Sequence, residues 1–303
     1  MKKTVKKLLW VSVIFYHFLP QLLFAQGYVR STTNAGIPVA WFESCLPFSF
    51  DAIGSQNLNM DQIQSTTQIS FNTWQNERCT SIAFSNQGIA QGAFGFELGV
   101  DNENLIIFRS TRDEWIHDPQ ILALTTLTLC QNDSEQCPAG TILDADIELN
   151  EAHFFFTSSE QNPQFDLENT LTHEIGHLIG FDHTPELEST MYASAPFAET
   201  KKRSLEQVDV DGLCSVYPLV GNKAICSGKV VIGLPYPFME EDGTMMGEAF
   251  ADMSIEPSLK PVKSGCDLNG SGSGNQQRQD HHLLWLIFLL LIGINGWIAR
   301  SKA

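Results

Sequence analysis

Residues 173–183, His-Glu-Ile-Gly-His-Leu-Ile-Gly-Phe-Asp-His, constrain the local fold more tightly than any other stretch, because their spacing follows metal geometry. On a helix, residues four apart share a face, so His173 and His177 can hold one ion from consecutive turns. Glu174 lies one step round from His173, close enough to touch a water on that ion without ligating it. Gly180 can adopt the left-handed conformation that ends a helix, which lets the chain double back and bring in His183 as third ligand. Three neutral imidazoles leave a fourth zinc position open, the arrangement of a catalytic rather than a structural site. Met191 follows His183 by eight positions, within Ser-Thr-Met-Tyr. A bare HExxH recurs in many unrelated helices. The third histidine, the turn glycine and the downstream methionine make this one specific.

Together these offsets resemble the metzincin pattern, HExxHxxGxxH with a Met-turn. Within it they most resemble the matrixins, the matrix-metalloproteinase-like family. The resemblance runs from about residue 37 to 218. Phe71-Asn72-Thr73-Trp74-Gln75 looks like the first helix of that family. Ala123-Leu124-Thr125 and a strand at 141–150 precede the metal helix, and residues 205–217 look like the closing helix. The resemblance implies an α+β fold with a twisted mixed sheet above the active-site helix. A third histidine after a glycine turn, a Met-turn and a closing C-terminal helix complete it. It implies that the 141–150 strand is the upper edge of a cleft and pairs with substrate backbone by strand addition. Met191 would form an apolar floor without ligating the metal, and residues 192–197 one wall of the adjoining pocket.

The implied activity is that of a zinc endopeptidase on protein or peptide substrates. Zinc on three histidines lowers the pKa of a bound water towards ~7. Glu174 would take its proton and pass it to the leaving amine. The competing reading, from another class, is a non-catalytic surface adhesion or binding module on the same fold; the intact Glu174 speaks against it. Some family features are missing. There is no PRCGxPD-like segment, and only about a dozen residues separate the leader from the first strand, so latency by a cysteine-bearing propeptide is not expected. Val208-Asp209 stands where animal members carry an Asp-Asp pair, and Thr184 where a serine is usual.

Local patterning fills in the domain. Residues 36–42, Gly-Ile-Pro-Val-Ala-Trp-Phe, read as a first strand, and 60–76 as an amphipathic helix with Ile63, Phe71 and Trp74 facing inward. Residues 81–84, 104–109 and 141–149 read as further strands. Asp166 is a good N-cap for a metal helix over 167–178. His117 and His153 are isolated, with carboxylates nearby, and no complete ligand set for a second ion is recognisable. Asp144, Asp146 and Glu148 alternate along one strand. They could help bind calcium, but the pattern fits a solvated strand face better.

The ends of the chain speak about location. Residues 1–25 carry four lysines, an apolar run and a terminal Ala25, the pattern of a secretory signal peptide. Its removal takes the net charge from −17 to about −21, which argues against nucleic acid as a partner. Residues 26–220 suffice for one catalytic domain, and 221–265 read as a stalk or small appendage. Residues 266–282 form a polar spacer headed by Cys266. Residues 283–299 are apolar and precede Arg300 and Lys302, which reads as a membrane segment with a cytoplasmic basic end. Cysteine, spacer, apolar segment and basic end together resemble the C-terminal sorting tags of myxobacteria-like bacteria, in which the cysteine region is processed or lipidated. The expectation is export across the inner membrane followed by anchoring at the membrane or cell surface.

Seven cysteines in an exported chain invite pairing. Nearest-neighbour pairing gives Cys45–Cys79, Cys130–Cys137 and Cys214–Cys226, one of fifteen connectivities open to six cysteines, with Cys266 left over. Nothing in the sequence sets an oligomeric state.

Overall fold

Four strands lie parallel to one another. They are β2 (Cys45–Phe50), β3 (Ala83–Ile89), β4 (Leu105–Arg109) and β6 (Ile142–Asn150). The three inside the sheet, β2, β4 and β6, are buried along nearly their whole length, as strands covered on both faces are. A fifth, β5 (Ile121–Leu129), runs antiparallel beside β6. On its outer side lies β10 (Val262–Asp267), also antiparallel, which gives a six-stranded mixed sheet in the order β10-β5-β6-β4-β2-β3. Short two-residue strands pair off elsewhere: β1 (Val29–Arg30) with β9 (Phe181–Asp182), and β7 (Phe156–Thr157) with β8 (Phe165–Asp166). This computed structural model describes residues 27–223 other than 91, 93, 98–101, 136 and 159–163, together with Cys226 and the backbone of 262–267. The leader, the polar spacer beyond Asp267 and the apolar tail lie outside the described residues. Among the described residues no helix is long and apolar enough to cross a membrane.

Two helices cover one face of the sheet. Helix α1 (Met60–Gln75) opens with a capping box in which Asn59 and Gln62 satisfy each other's backbone N–H. It turns Ile63, Phe71 and Trp74 into the core, as its periodicity predicts. Helix α2 (Leu167–Leu178) starts at Asp166, whose side chain accepts from Asn169 N at 2.8 Å. Arg203 donates to both oxygens of that same carboxylate. The helices meet where the Trp74 indole N–H donates to Thr172 O at 2.8 Å. The third helix, α3 (Gln207–Val216), closes the domain. Tyr217 just after it donates from its hydroxyl to Ile179 O and accepts from Trp41 N. The matrixin-like α+β arrangement expected from the sequence is therefore present.

Several local expectations need correction. The first long strand is residues 45–50, not 36–42. Pro38 has no N–H to donate, and the 36–42 segment makes only isolated bridges, Pro38 with Thr32 and Ala40 with Thr141. Trp41 is buried by packing and by the bond from its indole N–H to Leu178 O, not by strand pairing. Pro47 hides the real strand from pattern reading. It is tolerated because β4 joins β2 only from Ser49 onward, so its nitrogen faces no ladder on that side. The 141–150 strand is not the cleft edge either. It lies inside the sheet between β5 and β4, and β5 is the strand next to the metal helix.

Disulfide pairing departs from sequence proximity. Cys130–Cys137 forms as expected, but the other two bonds are Cys45–Cys226 and Cys79–Cys214. Ser81 N donates to Tyr217 O and Thr80 bridges Pro218, which seats the end of α3 beside the chain following α1. That places Cys79 and Cys214 with their Cα atoms 5.3 Å apart. On the chain-entropy view, bonds that close loops this long each stabilise by about 4–5 kcal/mol.

Asp144, Asp146 and Glu148 do not form a solvated face. They are 1–3% exposed, beneath the segment that joins β3 to β4. Asp146 accepts from Gly95 N and Leu105 N, while Glu148 takes Arg109 Nε at 2.6 Å and faces His117. Burial first, then the neighbouring Asp146 carboxylate, holds Asp144 well above the usual carboxylate range. Burial also raises Asp146, against the two backbone N–H bonds that lower it. Because these groups keep their protons to higher pH folded than unfolded, stability is greatest below the ordinary carboxylate range and falls as pH rises through the raised values. Asp144→Asn supplies the neutral form permanently. We expect it to raise the melting temperature at about pH 9 by an amount equivalent to at least about 1–3 kcal/mol, and by clearly less at about pH 5, nearer the unfolded value. Equal shifts at both pH values in thermal unfolding would refute the assignment.

Candidate metal centre

His173 and His177 face the same way from α2 because they are one turn apart. Gly180 then turns the chain with φ +91°, and a Cβ there would sit 2.8 Å from Val39 O. The turn carries His183 back toward the helix. The three Nε2 atoms form a triangle with every side 3.2 Å. A tetrahedral zinc with Zn–N of about 2.0–2.1 Å has ligand atoms about 3.3 Å apart, so this donor set fits zinc. The three residues are the one group of potential metal ligands found among the described residues.

Backbone carbonyls fix the ring tautomers. His173 Nδ1 donates to Thr190 O at 2.6 Å, and His177 Nδ1 donates to Phe181 O at 2.8 Å. A carbonyl can only accept, so in each neutral ring the proton is on Nδ1 and Nε2 presents a bare lone pair. Burial keeps these rings neutral. It lowers His173 well below its ordinary value, aided by the Lys202 cation and the neighbouring rings. It brings His177 to about 4, against the pull of the Phe181 bond and with Lys202 adding to the shift. Neutral imidazole is the form that ligates metal.

Of the other residues singled out in the sequence, Glu174 and Met191 lie on or against the helix that carries this triangle. Glu174 is fully buried on the same helix, and Thr125 of β5 lies 2.7 Å from its Oε2 and 3.1 Å from its backbone carbonyl. Met191 is 3% exposed and packs under the helix so closely that a Cβ at Gly176 would lie 2.1 Å from its Sδ. The close approach explains the glycine between Glu174 and His177. Cys266 lies in β10, its backbone paired across from Ala123. His153 Nδ1 instead contacts Asn150 Oδ1, and His117 lies against Trp115 and Glu148.

Three supporting residues carry no sequence signal of their own. Thr125 is one polar residue in an otherwise ordinary β-strand, Ile121–Leu129. Asp209, read as a departure from an acidic pair, accepts from Ser189 Oγ, Thr190 N and Glu206 N, and so ties the Met-turn to α3. Lys202, within Lys-Lys-Arg, is fully buried. It donates from Nζ to Tyr192 O and Ser194 O, bracing the segment after Met191. A charge triplet reads as surface, and only tertiary structure shows which of the three is inside.

A family described as Matrixin matches residues 131–218, the span that holds β6, α2, the histidine turn, the Met-turn and α3. The chain carries a matrixin domain. Over 61 residues it is 44% identical to Metalloendoproteinase 1 of Glycine max, which covers 20% of each chain. Over 74 residues it is 34% identical to Neutrophil collagenase of Homo sapiens, covering 24% of this chain and 16% of that one. The matched segments thus span about a fifth or less of those relatives.

The packing of Gly176 on Met191 yields a direct test. In the matrixin domain, Gly176→Ala should lower stability by about 1–3 kcal/mol through overpacking and weaken zinc retention, because the helix must move off the Met-turn. Unchanged melting and zinc content by metal analysis would show that the close approach is not required.

Proposed function

We propose that this chain is an exported zinc endopeptidase that hydrolyses protein or peptide substrates, with Glu174 as general base. The observation that carries the reading is the triangle of three histidine Nε2 atoms, two of them bare lone pairs on fully buried rings, with a carboxylate on the adjoining helical position. Zinc bound there would supply an acidified water and polarise the scissile carbonyl. Glu174 accepts the proton of the attacking water and delivers it to the leaving amine nitrogen. Thr125, within 2.7 Å of Glu174 Oε2, orients the carboxylate for that transfer. Residues 192–197, braced by Lys202, wall the pocket for the substrate side chain beyond the cleaved bond. The leader-like N-terminus supports export, and the apolar tail with its basic end supports attachment to a membrane or cell surface.

The test uses the full chain. Glu174→Gln should retain one zinc per chain but lose about 10²–10⁴-fold in kcat on a peptide substrate. His177→Ala should lose the metal as well, and a chelator should abolish wild-type cleavage. Chelator-resistant cleavage, or full activity in Glu174→Gln, would contradict this function.

A further inference from the structure

The edge of β5 is where an extended peptide would meet the site, and it is already taken. Strand β5 joins the sheet to the metal helix through Thr125 and Glu174. One side of β5 pairs with β6. The other pairs antiparallel with β10, in the register Val262↔Leu127, Lys263↔Thr126, Ser264↔Thr125, Gly265↔Leu124 and Cys266↔Ala123. Ser264 therefore lies directly across from the residue that touches Glu174, and β10 itself approaches α2. Without β10, β5 would end the sheet and present a row of unpaired N–H and C=O groups beside the metal ligands. Such an edge takes up an extended chain through main-chain bonds, and it holds one strand at a time.

We propose that Val262–Asp267 is a cis-acting occluding strand, which fills the peptide-binding edge of β5 and must leave before a substrate can pair there. The proposal rests on the endopeptidase reading for its consequence, and on strand pairing alone for its occupancy. Residues 227–261 link this strand to Cys226, which the bond to Cys45 fixes at the start of β2. An occupant on such a tether acts at an effective concentration that can reach about the millimolar range, so a substrate at micromolar concentration competes poorly. Release of the strand is therefore the step at which activity is controlled.

Substituting Ser264→Pro together with Gly265→Pro in the full chain tests the proposal. Successive residues of a strand point their N–H groups to opposite sides, so one of the two prolines removes a donor that faces β5. We expect faster amide exchange along residues 122–127 and a kcat/KM for an exogenous peptide raised about 10-fold or more, mostly through KM. A synthetic peptide of residues 260–268 should inhibit the variant competitively. Unchanged exchange would show that β10 does not hold the edge. Faster exchange with unchanged KM would show that substrate binds elsewhere, and cleavage of the wild-type chain within 262–267 would make the segment a substrate rather than an occluder. If neither chain cleaves any peptide, the endopeptidase reading falls by itself. Polarisation binding to the variant then decides occupancy: displacement of a labelled extended peptide by the 260–268 peptide supports it, and simultaneous binding overturns it.

Discussion

Three imidazole Nε2 atoms that converge at 3.2 Å, two of them on fully buried rings, are the constraint to which the rest of this domain answers. Without a cation the bare lone pairs of His173 and His177 repel each other. With one they become the strongest local interaction in the fold. The carbonyls of Thr190 and Phe181, which hold the His173 and His177 protons on Nδ1, come from the Met-turn and from the turn at Gly180. Asp209 fixes the first of these turns from α3, and Gly176 lets Met191 approach from below. Metal affinity and tertiary packing are thus one quantity seen from two sides. Zinc at about 1,000 times its Kd would add about 4 kcal/mol to stability, more than a typical single hydrogen bond in the structure contributes.

The sheet serves the same site from above. Its parallel half buries Asp144 and Asp146 under a long connection, at a cost that grows with pH, while its antiparallel half brings Thr125 to Glu174. One strand therefore orients the proposed base and also offers the edge on which a peptide would lie. That economy makes the edge a natural control point, since whatever fills it stands over the base. Strand β10 fills it from within the same chain.

Much of the centre was legible in the sequence because its determinants are local. Helical spacing put His173 and His177 together, Gly180 marked the reversal, and Asp166 marked the start of α2, all within a span of eighteen residues. The helix over 60–75 followed from periodicity for the same reason. What escaped depends on contacts between distant segments. Cys79 pairs with Cys214 only because α3 returns to the end of α1, and Pro47 masks a strand whose neighbour begins two residues later. Lys202 and Asp209 are ordinary charged residues by sequence, and only burial against the Met-turn gives them a role. The place of β10 beside β5 has no local signal, since strand pairing across more than a hundred residues leaves no period to read.

X-ray absorption at the zinc edge of the purified full chain should show one zinc equivalent with three imidazole nitrogens at about 2.0–2.1 Å in its coordination shell. A shell with fewer than three imidazoles, or a folded chain that takes up no zinc, would contradict a three-histidine zinc centre.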